Sequence, residues 1–316
     1  MIRILGTVFA GLLGLAFGSF LNVCVSRWPA GESVVTPRSH CRGCNRTLAW
    51  WENIPLVSWL ALRGRCRTCR AWIGWRYPLV ELAVGGLWAQ AFWDLLNEVF
   101  LDPDCPLIYR YDSVIFVIGK MIFYWLLITL AVFDAENLWL PNWITWPGTA
   151  LGFMFILTEL LFIKGFIFLN FYYLAAHVFH ADFPFFKGIE NGQFCVYCIA
   201  LKWFLGILAA AGLILLIRWL YWLIRRREGI GLGDAKLMAM LAAWLGLPGA
   251  LLAFGLGVVL GALVAVVMLA IPATRTGAGG WALKKLPLGT FLCVGGIVSS
   301  LWGQQIIAAY LRWAGF

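Results

Sequence analysis

Runs of roughly twenty mostly apolar residues recur along this chain, near 4–25, 78–97, 113–133, 143–163, 199–224, 235–247, 249–272 and 287–311. A helix needs about 20 such residues to cross a bilayer's hydrocarbon core, where each backbone polar group must be satisfied within the segment. The sixth run is short and the seventh follows at once, so Gly246-Leu-Pro248-Gly249 between them suits a tight hairpin. Only 12% of the 316 residues are charged, about half the share of a soluble domain, and 62% are hydrophobic. The chain reads as an all-α polytopic membrane protein with about eight transmembrane helices. Disorder, a coiled coil and a secreted disulfide scaffold are excluded.

The net charge of +9 does not indicate a nucleic-acid partner, because basic residues of polytopic proteins gather in cytoplasmic loops. Arg27, Arg38, Arg42, Arg46, Arg63, Arg65, Arg67, Arg70 and Arg76 lie between the first two runs. Arg225, Arg226, Arg227 and Lys236 lie between the fifth run and the start of the sixth, and Arg275, Lys284 and Lys285 follow the seventh. The opposite face holds Glu98, Asp102, Asp104 and Asp112 against Arg110 and Lys120. Segment 27–77 is thus expected in the cytoplasm and both termini outside. No small-x-small cleavage site follows the first run, which reads as an uncleaved helix. The expected division is a first transmembrane helix (1–26), a cytoplasmic module (27–77) and a transmembrane domain (78–316).

Four of the nine cysteines form Cys41-Arg-Gly-Cys44 and Cys66-Arg-Thr-Cys69. Two CxxC turns can close a tetrahedral S₄ shell around structural zinc, and a reducing cytoplasm favours metal over disulfides. Redox-active dithiols are the other reading. The flanking arginines favour the thiolate form, and a segment of about 50 residues with a small apolar core gains from a metal staple. A second cluster, His177-Val-Phe-His180 and Cys195-Val-Tyr-Cys198, falls in the outer loop between the fourth and fifth runs. It suits a second metal, a Cys195–Cys198 disulfide, or plain interfacial polar groups. Cys24, Cys105 and Cys293 read as isolated apolar or loop residues.

Ionisable side chains at membrane depth are costly and are functional candidates by default. Asp134 ends the third run, and Asp234 opens the sixth within Gly231-Leu-Gly233-Asp234-Ala-Lys236. The topology brings both to the cytoplasmic ends of their helices. Two carboxylates meeting in a partly desolvated site can activate a water against an amide carbonyl, one as acid and one as base. Gly229, Gly231 and Gly233 would let backbone and substrate approach closely at the helix start. Taken singly, Asp234 also reads as a plain N-cap, and Asp134 as a helix-end polar residue. Lys236 reads as a positive-inside anchor, a partner for lipid phosphate, or a group that tunes the acid pair.

In order along the chain, these motifs resemble those of the bacterial type IV prepilin peptidases, membrane aspartyl proteases of the GxGD group. Gly18-Ser-Phe-Leu-Asn-Val23 is similar to the family's first-helix signature, and Cys41 to Cys69 to its double CxxC with Asn53-Ile-Pro-Leu-Val-Ser-Trp59. Arg76-Tyr-Pro-Leu-Val-Glu81, Asp134, Gly231-Leu-Gly-Asp-Ala-Lys-Leu237 and Leu286-Pro-Leu-Gly289 continue the match. The resemblance implies cleavage of the short basic leader from type IV prepilins or type II secretion pseudopilins. It places the enzyme in the bacterial inner membrane, with Asp134 and Asp234 catalytic at the cytoplasmic face. It also implies N-methylation of the new terminus from S-adenosylmethionine, although no Gly-rich nucleotide loop marks a donor site. Two departures stand out: Asn142 replaces a usual acid, and the 164–198 loop is long. A polytopic transporter coupled through the two aspartates, and a non-catalytic assembly factor with a zinc module, are the alternatives from other classes.

Overall fold

The computed structural model describes residues 2–101, 107–158, 192–227, 231–270 and 286–315. The chain divides into two compact units, Met1–Val132 and Phe133–Phe316. Among the described residues the regular structure is helical, with two isolated antiparallel bridges and no strand.

Unit 1 contains α1 (Ile2–Arg27), the short α2 (Val57–Ala61), α3 (Arg76–Leu101) and most of α4 (Leu107–Asn137). Lipid tails are as apolar as leucine, so membrane helices associate by close packing at small residues. α1 and α3 do this along one glycine stripe. A Cβ on Gly14 would lie 2.9 Å from the Gly85 Cα, and one on Gly18 would lie 2.8 Å from the Glu81 Cα. Indole N–H groups tie in α4: Trp88 Nε1 donates to the Met121 carbonyl at 3.0 Å, and Trp125 Nε1 to that of Phe17 at 3.4 Å.

Unit 2 contains the last turn of α4, α5 (Asn142–Thr158), α6 (Gly192–Arg225), α7 (Leu232–Ala270) and α8 (Leu288–Trp313). α7 is broken at Gly246, whose φ of 70° and ψ of 171° no helix contains. Before the break, Trp203 Nε1 donates to the Ala243 carbonyl and Trp244 Nε1 to that of Gly148, which joins α7 to α6 and α5. After the break, Gly249, Gly257 and Gly261 meet Ser299, Leu292 and Phe291 of α8 in reverse order. Gly233 in the first turn of α7 and Gly289 in the first turn of α8 both face Leu140, so the start of α7 and its later part both lie beside the start of α8. That is the hairpin expected at Gly246-Leu-Pro248-Gly249.

Among the described residues six helices are long and apolar enough to cross a membrane. The expected eight spans correspond to these six, the 17 described residues of α5, and the second arm of α7. This is a multi-pass membrane protein.

Candidate active site and metal centre

The four cysteines of the module sit on two turns that repeat with an offset of 25 residues. Cys41 N–H donates to the Arg46 carbonyl and Asn45 N–H to that of Cys41; Cys66 and Arg70 do the same with Ala71 and Cys66. The bridge His40–Thr47 is matched by Arg65–Trp72. Asn45 and Arg70, each just after its second cysteine, take positive φ values of 53° and 55°, which curl each turn around its sulfurs. The four sulfurs lie within 4.8 Å of one another, with Cys41 Sγ and Cys69 Sγ 3.6 Å apart. A tetrahedral shell with Zn–S bonds of about 2.3 Å has edges of about 3.8 Å, so the donor set fits zinc. All four ligand positions would be protein sulfurs, so a metal bound there would hold the module together and leave no position for substrate.

The thiols are unequal. N–H groups of Cys69 and Thr68 push Cys66 down to about 6. At Cys69 the Ala71 N–H pulls the other way, but burial and the neighbouring sulfurs outweigh it and push the thiol up to about 11. Arg46 Nη2 donates to Glu52 Oε1 at 2.7 Å and holds this buried carboxyl below the usual range. Glu52 Oε2 accepts the Ala49 N–H at 2.8 Å.

Between the module and the ends of α1 and α3 lies a cavity of about 600 Å³, bordered by Asn22, Glu52, Trp59, Tyr77 and Glu81. Glu81 Oε2 accepts the Leu56 N–H at 2.8 Å, and Asn22 Nδ2 donates to the Tyr77 carbonyl at 3.1 Å. Asn22 Oδ1 is buried and has no partner among the described residues. The sequence signal for Glu81 is an acid inside an apolar run, Leu79-Val-Glu81-Leu82, which the motif match absorbed.

In unit 2 the two aspartates are buried, Asp134 at 6% exposure and Asp234 at 8%. Asp134 occupies the last turn of α4, which ends where Leu138 turns to a φ of 50° and donates its N–H to the Asp134 carbonyl. Its carboxylate rests on the start of α8: Oδ2 accepts the Thr290 N–H at 2.7 Å and the Thr290 hydroxyl at 3.3 Å. Asp234 is the third residue of α7 and reaches back to the N–H of Gly231. It is thus not the N-cap but the group that answers it. The unpaired N–H groups of two helix starts therefore serve the two acids. Leu140 lies between: a Cβ on Gly233 or on Gly289 would come within 3.1 Å of it. The two carboxylates lie within Coulombic range of each other, and Cys293, fully buried one turn along α8, within range of both.

This placement revises several expectations. Gly233 is needed for packing against Leu140, and a Cβ on Gly289 would stand 2.9 Å from Asp134 Cγ. Cys293 lies beside the acids and is not an isolated residue. Thr290 and Cys293 were missed, since their link to Asp134 spans more than 150 positions and no local motif announces it. Lys236 Nζ donates to Asn142 Oδ1 at 2.5 Å, so Asn142 keeps a contact with the lysine without a charge of its own. His177 and His180, and the side chains of Cys195 and Cys198, lie outside the described residues, as do Glu228 and Gly229.

The fold and these centres define a polytopic helical membrane protein with a buried acid pair at helix ends and a four-cysteine module that could hold a metal. Residues 12–95 match the Bacterial Peptidase A24 N-terminal domain, and residues 192–266 the Type IV leader peptidase family. The prepilin leader peptidase/N-methyltransferase of Pseudomonas aeruginosa is 31% identical over 96% of this chain and 93% of its own length. Proteins of that name from Burkholderia pseudomallei and Myxococcus xanthus are 32% and 34% identical, over 93% and 75% of this chain and 85% and 56% of their own lengths. No solved structure matches the chain. The chain belongs to the type IV leader peptidase family.

Proposed function

We propose that this protein removes the leader peptide from type IV prepilins or type II secretion pseudopilins, and N-methylates the new terminus. The observation that carries the reading is the buried pair Asp134 and Asp234, each with its carboxylate at the N–H groups of a helix start and each about nine-tenths buried. In this reading one carboxyl holds a proton and gives it to the scissile carbonyl, while the other takes a proton from water. The C–O bond forms from water, the C–N bond breaks, and the departing amine leaves with a proton. Thr290, through its N–H and hydroxyl, fixes Asp134 for that task, and the Gly231 N–H fixes Asp234. A transporter would place such acids near the bilayer midplane between repeats, whereas these stand at helix ends.

Loop charge supports a position of the acids on the cytoplasmic side of the inner membrane, where a basic leader would remain while the apolar precursor helix stays among the spans. Of the acids expected near that face, Glu136 and Glu228 are candidates for the leader's charge, whereas Glu52 is buried and already paired with Arg46. When bound, S-adenosylmethionine supplies an electrophilic methyl group. The test is purified protein with a membrane-embedded prepilin, with and without S-adenosylmethionine. Leader removal in both arms, with one added methyl group only in the second, is the expected result. An intact precursor in both would overturn the reading.

A further inference from the structure

We infer that α2 and the tryptophans just before α3 form an interfacial anchor, whose partner is the phospholipid surface of the bilayer itself. The depth at which unit 1 holds α2 carries the inference. α3 is long and apolar enough to cross from Arg76 to Asn97. Glu81 is its sixth residue, about 7.5 Å along the axis from the first at a rise of 1.5 Å per residue. Glu81 Oε2 accepts the N–H of Leu56, the residue that opens α2, at 2.8 Å. To bring its N–H there, Leu56 takes a φ of 59°, uncommon for a bulky residue. The start of α2 is therefore tied more than one turn inside the span, level with Leu79 and Leu82, which α3 leaves exposed.

A second tie gives the same placement. Trp59 Nε1 donates to the Ile73 carbonyl at 3.1 Å, and the Trp59 ring centroid stands 4.5 Å from that of Trp75 and 6.0 Å from that of Trp72. α2 is thus pinned to the stretch that leads into α3. At that depth Ile54, Val57 and Leu60, three positions apart, are all exposed, Leu60 at 67%. Interfacial helices bury such side chains about 5–10 Å into the boundary between headgroups and acyl chains, the depth that Glu81 sets here. Trp72 and Trp75 are exposed as well, and tryptophan rings settle at the headgroup level of a membrane protein. Arg63 and Arg65, exposed and next along the chain, bring the charge that lipid phosphates attract. A water-soluble partner would need α2 to stand clear of the bilayer, and the bond to Glu81 prevents that.

The test uses the full chain in nanodiscs of phosphatidylethanolamine and phosphatidylglycerol, with the photoreactive substitution Leu60→p-benzoylphenylalanine. The same substitution at Leu82 is the reference for a lipid-facing position, and zinc content checks folding. Irradiation should add the mass of one phospholipid at position 60, with a yield of the same order as at position 82. Attachment to a second copy of the chain or to an added prepilin would overturn the inference, and so would no attachment at 60 where 82 is labelled. If either variant loses its zinc, or position 82 stays unlabelled, the wild type is irradiated with a phospholipid carrying a diazirine beside its glycerol. Adducts within 54–60 or 72–75 support the anchor, and adducts confined to the spans, or none at all, overturn it.

Discussion

Gly289 has no room for a side chain, because the Asp134 carboxyl group occupies the place its Cβ would take. Gly289→Ala should push that carboxylate aside. A misplacement of about 1 Å can cost about 10²-fold in rate, so cleavage should fall by about that factor with zinc content unchanged. Thr290→Val keeps the N–H and loses the hydroxyl, and a milder loss of about tenfold is expected on the scale of one hydrogen bond to a charged group. At Asn142 the contact to Lys236 is exposed, and exposed ion pairs contribute little. Asn142→Asp should therefore change cleavage by less than about threefold. The aspartates were legible in the sequence because each is an ionisable residue at the end of an apolar run. Thr290 was not, because only the packing of α8 beside α4 brings it to Asp134.

The module is the element whose chemistry was most legible, since paired CxxC turns have few other uses. What the spacing did not contain was the pairing of the two turns, which needs the left-handed conformation at Asn45 and Arg70. Cys44→Ser or a strong zinc chelator should unfold the module, seen as a shift in tryptophan emission from Trp51, Trp59 and Trp72. Acid acts twice. Protons compete with zinc for the four thiolates, so metal affinity falls as pH falls. Glu52 is held below its ordinary value, so its stabilising contribution is complete above the unfolded value of about 4.3 and is lost as pH falls through the lower folded value. Glu52→Gln should thus be less stable than the wild type near neutral pH, with the gap closing in acid. In α7, a side chain at Gly246 would meet both a positive φ and the Trp203 ring 3.2 Å away. Gly246→Ala should cost about 1–3 kcal/mol, measured by thermal unfolding in detergent.

At the scale of the whole molecule, the spans followed from hydropathy, because bilayer thickness sets their length, while arginine placement gives an expectation for the side each loop faces. Trypsin should cut the arginine-rich 27–77 segment in inside-out vesicles and spare it in intact spheroplasts. The reverse pattern would place the module outside. Hydropathy did not reveal which helices carry the acids toward each other, since a glycine seam between α7 and α8 looks no different from any other apolar stretch. The most direct test compares leader cleavage by the wild type with Asp134→Asn and Asp234→Asn, using a membrane-embedded prepilin and equal zinc content. Both variants should lose cleavage entirely while remaining folded. Cleavage that survives in either one would contradict the acid pair as the catalytic centre.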